Sequence, residues 1–170
     1  MSERHTSVPR WAELPRVDPG ARRIAIVSIG DTGRDVARGW ADATRQARTP
    51  LWSAHGETAD ARVVEALREQ LRHATVGWRL MLAGPELDLL RLRAEAVAAG
   101  ALGEEVRQHV TSATRRRVWC THCRTIAEHA TAVGDEVGCT GCGRTLLVYH
   151  HVSRRLGAYM GFMADAEEPR

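Results

Sequence analysis

The residues with the clearest chemical potential lie between Arg117 and Arg144, in the stretch RVWCTHCRTIAEHATAVGDEVGCTGCGR, which holds all four cysteines of the chain. They stand as Cys120-x-x-Cys123 and Cys139-x-x-Cys142, with fifteen residues between the pairs. Two thiolates two residues apart turn toward one point when the backbone between them makes a tight knuckle. Two knuckles complete a tetrahedral S4 set, the arrangement Zn²⁺ takes in closed structural sites. Gly141 and Gly143 are expected to supply the unusual backbone angles of the second knuckle. Iron held by four thiolates uses the same ligand set and fits the same spacing. Paired disulfides would suit a secreted chain, and a [2Fe–2S] cluster wants a C-x4-C-x2-C run that is not present. His122 and His129 lie inside the stretch, but four thiolates already close the site, so they are assigned to its surroundings. A closed site leaves no position for substrate, and its chemistry is that of a scaffold.

The second unusual stretch follows directly, Tyr149 to Phe162, YHHVSRRLGAYMGF. His150, His151, Arg154 and Arg155 can meet an anion or an acidic surface, and Tyr159 and Phe162 beside them suit a protein interface. The same stretch also reads as a β-hairpin with Gly157 at its turn, closing the metal module. The two readings are compatible.

These residues must be held by the elements around them. Arg23–Ile29 is a short, nearly continuous apolar run, as expected of a strand buried on both faces. Asp31 or Thr32 is placed to cap a helix with Val36, Trp40, Ala43 and Ala47 on one face, ending before Pro50. The pattern repeats: a strand at 51–55, then a helix capped by Thr58 and carrying Val64, Leu67, Leu71 and Ala74. A third strand at 77–83 leads through Gly84-Pro85-Glu86 into a helix with Leu87, Leu90, Ala94 and Val97 on its buried face. Residues 106–111 form a fourth strand. Strand–helix alternation with short loops predicts a small parallel, Rossmann-like sheet with right-handed crossovers. After residue 112 the pattern changes to short β segments. The expected organisation is α/β: an extended N-terminal segment over 1–21, a Rossmann-like domain over 22–112, a β-rich zinc-ribbon module over 113–163, and an acidic tail over 164–170. The turn after the first strand, Gly30-Asp31-Thr32-Gly33, lies where such folds cradle phosphates, but it lacks the G-x-G-x-x-G spacing and carries an acid. It reads as an ordinary strand-to-helix turn.

Composition narrows the partners. All 24 basic residues are arginine and the net charge is only +3, but the charge is uneven. Residues 113–163 carry seven Arg against three acids, while the chain through Ser112 is near neutral with 16 Arg against 15 acids. A basic metal module fits an acidic protein surface, nucleic acid or simply a solvated arginine face, and the near-neutral remainder weighs against nucleic acid. No run of eighteen apolar residues exists and the first twenty residues have no apolar core of a leader, so a cytoplasmic protein away from membranes is expected. No acid pair, Ser/His/Asp set or phosphate-binding lysine can be assembled from the sequence, so no catalytic residue is expected.

Two resemblances cover nearly the whole chain after residue 21. Leu82-Ala83-Gly84-Pro85-Glu86, then Arg93-Ala94-Glu95-Ala96-Val97-Ala98-Ala99-Gly100 and Val106, are similar to the NAD-binding half of ferredoxin-reductase-type flavoproteins, with Ala83 where that family keeps a cysteine and with no flavin-binding barrel. This resemblance implies a borrowed scaffold. The C-x-x-C pairs with Tyr149-His150-His151-Val152-Ser153-Arg154-Arg155-Leu156-Gly157-Ala158-Tyr159-Met160-Gly161-Phe162 resemble the DmmA-like family, the small subunit of bacterial dimethylamine monooxygenase. It implies membership of a multi-subunit oxidative N-demethylase acting on methylated amines. The implied partners are a haem-bearing catalytic subunit, a flavin/iron–sulfur reductase subunit and a tetrahydrofolate-binding subunit. Haem, flavin, iron–sulfur and folate would belong to those partners. Within that frame a non-catalytic assembly subunit is the leading reading, with an electron-transfer or nicotinamide-binding component, or a zinc-ribbon nucleic-acid binder, as alternatives.

Overall fold

The structure, a computed structural model, describes Trp11 and residues 13–165. The first ten residues of the expected lead-in and the last five of the expected tail lie outside it. Strand β1 (Arg23–Ile29) is buried at every position after Arg23. It owes that to parallel neighbours on both sides, β2 (Leu51–Gly56) and β3 (Trp78–Pro85), with β4 (Val106–Ser112) beyond β3, in the order β2-β1-β3-β4. Alternate residues of β1 feed two cores. Ala25, Val27 and Ile29 join Leu80 and Leu82 beneath Val63, Val64 and Leu67 of α2 (Ala61–Arg72) and Leu89 and Leu92 of α3 (Glu86–Ala98). Ile24 and Ile26 join Met81 and Ala83 beneath Trp40 and Ala41 of α1 (Gly30–Gln46).

One helix cannot cover four strands, and residues 13–21 cover part of what α1 leaves. Pro15 O accepts from Trp40 Nε1 at 2.8 Å, Arg16 O accepts from Arg107 at 3.1 Å, and Asp18 takes Arg79 Nε at 2.8 Å. Val17 packs into the α1 core.

Several local expectations need correction. Helix α1 begins at Gly30 itself, with φ +68°, and has no side-chain cap, so neither Asp31 nor Thr32 plays that part. Its buried line is Gly33, Trp40, Ala41 and Thr44, while Ala43 and Ala47 are exposed. The line rotated because Gly33 sits against β3, where a Cβ would lie 2.6 Å from Ala83 O. Helix α2 is capped by Asp60, which accepts from Val63 N at 2.9 Å, rather than by Thr58. Ala74 falls outside it and is exposed.

The second sheet contains β5 (Arg115–Cys120), β6 (Ile126–Ala130), β7 (Glu136–Gly138), β8 (Thr145–Ser153) and β9 (Ala158–Met163), in the order β6-β5-β9-β8-β7. It is mixed, β5 and β9 running parallel and the other pairs antiparallel. Residues 148–152 of β8 face only 159–161 of β9, a bulge of two extra residues that leaves the in–out alternation intact. Leu146, Val148 and Val152 therefore stay buried on one side.

Helix α3 explains how the two sheets meet. The sequence expectation assigns it one buried stripe through Leu87, Leu90, Ala94 and Val97. Leu89, Leu92 and Ala96 instead face the parallel sheet, while Leu90 belongs to the core of the second sheet with Val118 and Tyr159. Both sides are claimed, so every residue of the helix before Ala98 is buried or half-buried. At its first residue, Glu86 is wholly buried and accepts from Trp11 Nε1 at 3.0 Å and from the Tyr159 hydroxyl at 2.5 Å. Arg116 Nε lies 3.7 Å from the other carboxylate oxygen, and its guanidinium lies over the Tyr159 ring at 5.4 Å. On the other side of the joint, Gly157 has φ +58° and approaches α3 so closely that a Cβ would lie 2.3 Å from Leu90 O.

Candidate metal centre

The two C-x-x-C segments fold into the same hairpin turn. In the first, Arg124 N donates to Cys120 O at 2.8 Å and Cys120 N to Thr125 O at 2.9 Å. In the second, Gly143 N donates to Cys139 O at 2.9 Å and Cys139 N to Arg144 O at 2.8 Å. The residue after each second cysteine is left-handed: Gly143 at φ +71° and Arg124 at φ +66°. Gly141 has no such angle and serves another purpose. A Cβ there would lie 2.3 Å from the Thr125 hydroxyl and 3.1 Å from Cys123 Sγ, so only glycine lets the two knuckles close on each other.

The result is one cluster of four sulfurs, all within 4.8 Å of one another. Cys123 and Cys139 Sγ are 3.5 Å apart, and Cys120 and Cys142 Sγ 3.9 Å apart. These are too long for S–S bonds, and the four cysteines are free. A tetrahedron with metal–sulfur bonds of about 2.3 Å has edges of ~3.8 Å, so the cluster is of a size to hold a metal ion. Among the described residues no histidine joins it; His122 is exposed and His129 half-buried. Charge supports a cation as well. The Thr125 hydroxyl and backbone N–H hold the Cys123 thiol down to about 6. Cys142 receives an Arg144 N–H that favours its thiolate, yet burial and the neighbouring sulfurs push it up to about 11. One thiolate forms easily and the next resists it, an imbalance that a bound cation removes.

The residues expected at an interface differ in exposure. Arg154 and Arg155 are exposed in the β8–β9 turn, and His151 is exposed in the bulge. His150 is half-buried, its ring 4.0 Å from that of Tyr149. Phe162 is 42% exposed, and its ring meets Tyr149 edge-on at 5.5 Å. Tyr159 is a correction: at 3% exposure it lies inside the joint on Glu86, because β9 alternates and places 159 on the side opposite 162.

Sequence reasoning also missed two polar clusters. The first lies over β2, where α1 and residues 13–21 leave the sheet uncovered. There Ser28 Oγ is 3.0 Å from His55 Nδ1, and Arg34 Nη2 contacts His55 Nε2. Arg34, Arg38 and Arg45 line the same cleft of about 470 Å³. Where Nε2 accepts from Arg34, the imidazole proton sits on Nδ1 and Ser28 accepts it, the wrong polarity for a nucleophile; the Glu57 carboxylate, 3.4 Å from the same Nε2, favours the opposite tautomer. At the carboxyl ends of β1 and β3, the usual ligand position of such sheets, the chain approaches itself so closely that a Cβ at Gly84 would lie 2.7 Å from Ile29 Cβ.

The second cluster lies at the carboxyl ends of β2, β3 and β4, in a cleft of about 400 Å³ lined by Glu57, Asp88, Arg91, Arg115 and Glu128. Asp88 is 7% exposed and accepts from Ala59 N at 2.7 Å. Burial raises its pKa, against the Ala59 N–H that favours the carboxylate. A carboxyl raised in the folded state contributes stability at low pH that is lost as pH climbs past the ordinary value of about 3.9. Asp88→Asn keeps an acceptor for Ala59 and removes the buried charge. The variant is expected to match the parent below pH 4 and to melt higher than it at pH 7. A melting series from pH 3 to 8 reads the difference, and a gain that shrinks with rising pH contradicts the assignment.

No helix among the described residues is long and apolar enough to cross a membrane. Residues 117–162 match the family model of the dimethylamine monooxygenase subunit DmmA-like, C-terminal domain. Over 111 residues the chain is 43% identical to the heme-dependent oxidative N-demethylase delta subunit of Ectopseudomonas mendocina, a match covering 65% of this chain and 61% of that protein. The chain thus spans about three fifths of this relative's length. No solved structure matches the chain.

Proposed function

We infer that this chain, whose residues 117–162 belong to the DmmA-like C-terminal domain family, is a non-catalytic subunit that assembles or stabilises a haem-dependent oxidative N-demethylase acting on methylated amines. Its partners are then a haem-bearing catalytic subunit, a flavin/iron–sulfur reductase subunit and a tetrahydrofolate-binding subunit, which carry those cofactors. Zinc at Cys120, Cys123, Cys139 and Cys142 holds the second sheet in shape. The observation that carries this reading is that the four sulfurs converge on one closed position inside the stretch that matches the family. A metal bound by four protein thiolates has no open position for substrate, so its role is structural.

A tagged chain expressed with the other subunits is expected to carry haem and flavin absorbance through gel filtration. Its repeated recovery as a lone, colourless monomer would sink the reading. An electron-transfer role is the second reading, since four thiolates also suit iron. Elemental analysis separates the two: about one zinc per chain ends the electron-transfer reading, and a red iron spectrum replaces zinc by iron and revives it.

A further inference from the structure

One side of the second sheet is unaccounted for by the fold. Its inner side carries Val118, Cys120, Leu146, Val148 and Tyr159, which form the buried core with Leu90. Register places a different set on the outer side. Trp119 pairs with Ile126 on β6 and with Met160 on β9, and Phe162 pairs with Leu147 on β8. Tyr149 joins them through its edge-on contact with Phe162. The six side chains span four of the five strands, and none belongs to any of the three buried clusters. Tyr149 and Phe162 are 41% and 42% exposed, and Trp119, Ile126, Leu147 and Met160 are half-buried. A soluble chain rarely leaves a sheet face of this composition in water unless something covers it.

Charge identifies what covers it. Residues 113–163 hold seven Arg against three acids; of these Arg116 is turned inward onto Glu86, Arg115 meets Glu128, and Glu136 pairs with Leu147, which leaves three exposed arginines at the ends of the sheet. Exposed Arg124 lies beside the metal knuckles at one end of the sheet, and exposed Arg154 and Arg155 lie in the turn at the other. A second copy would set one basic rim against another. A partner with carboxylates around an apolar patch satisfies both the face and the rim. We propose that the outer face of the second sheet, formed by Trp119, Ile126, Leu147, Tyr149, Met160 and Phe162, is the surface that docks onto a larger partner subunit presenting an apolar patch rimmed by acidic residues. The proposal rests on the subunit reading above and moves the contact from the histidine–arginine tail to the sheet face, with the arginines as its rim.

The test uses the full chain co-expressed with the haem-bearing and reductase subunits of its own organism. Tyr149→Glu/Phe162→Glu alters two exposed side chains, and Val76→Glu, at a residue 88% exposed outside this sheet, serves as control. The double variant is expected to keep its metal content and melting curve and to bind the partner at least about thirtyfold more weakly, as loss of a central aromatic pair does. The control is expected to bind as the unaltered chain does. Binding by the double variant within about threefold of the unaltered chain overturns the docking face while leaving the subunit reading in place. An isolated chain that dimerises in sedimentation, and ceases to in the double variant, overturns the acidic hetero-partner. An unaltered chain that binds neither subunit overturns both readings together.

Discussion

Replacing Cys120 or Cys142 by serine is expected to unfold the second sheet while the parallel sheet stays folded. The sulfurs are not an ornament on that sheet. Cys120 and Cys139 are members of its buried cluster, and Cys123 and Cys142 pack against it. The aliphatic residues that share the cluster are few: Leu90, Val118, Leu146, Val148 and Val152. Without a cation, the knuckles would gather groups that resist common ionisation, Cys123 falling to about 6 while Cys142 rises to about 11. A structural zinc supplies apparent binding free energy on the order of 10 kcal/mol, comparable to the stability of a whole small domain. A serine hydroxyl cannot replace a thiolate as ligand, so most of that is lost. The parallel sheet has two clusters of its own on its two faces and is expected to hold without the metal. Thermal melting should therefore show one transition near the parent's and the loss of another, with metal stoichiometry falling to near zero. Chelation of the unaltered protein should reproduce the pattern. If either variant keeps its metal and its melting curve, the four-sulfur assignment is wrong.

The strands of the parallel sheet and the cysteine pairs were legible because each is encoded locally. Arg23–Ile29 is apolar at nearly every position, and C-x-x-C states its geometry in four residues. What could not be read depends on contacts distant in sequence. Glu86 looks like an acid suited to the positive end of a helix, and nothing near it announces Trp11, Arg116 and Tyr159, which lie 75, 30 and 73 positions away. Tyr159 was for the same reason expected at an interface: period-2 alternation separates the two faces of β9 but does not say which one is covered. A signal for the outer face did exist. Trp119 beside Val118, Leu147 beside Leu146 and Met160 beside Tyr159 put large apolar residues on both faces, which a sheet with one side in water does not require. The left-handed Arg124 left no trace, because only its equivalent in the second knuckle is a glycine.

Glu86→Ala is expected to cost roughly 3–5 kcal/mol, the penalty for removing one partner of a buried charge pair. Glu86 is wholly buried, and the Arg116 side chain is only 15% exposed. Removing the carboxylate would leave a guanidinium, the Tyr159 hydroxyl and the Trp11 indole N–H without their acceptor in one volume. Burial first, and then the Glu86 carboxylate, keep the Tyr159 phenol protonated, so it stays a donor at any working pH. The pair need not be a net source of stability, since carrying both charges out of water offsets much of their attraction. The double variant Glu86→Leu/Arg116→Leu should therefore recover the share of the Glu86→Leu loss that the unpaired guanidinium causes, while Trp11 and Tyr159 stay without their acceptor; a double-mutant cycle with both single leucine variants isolates that coupling. Denaturant unfolding followed by tryptophan fluorescence reads the parent, Glu86→Ala, the two single leucine variants and the double. A Glu86→Ala cost below about 1 kcal/mol, or a double variant as unstable as Glu86→Leu, contradicts the account. Recovered stability with weakened partner binding would separate two tasks of the joint: holding the sheets together, and fixing the angle at which the parallel-sheet scaffold presents the outer face.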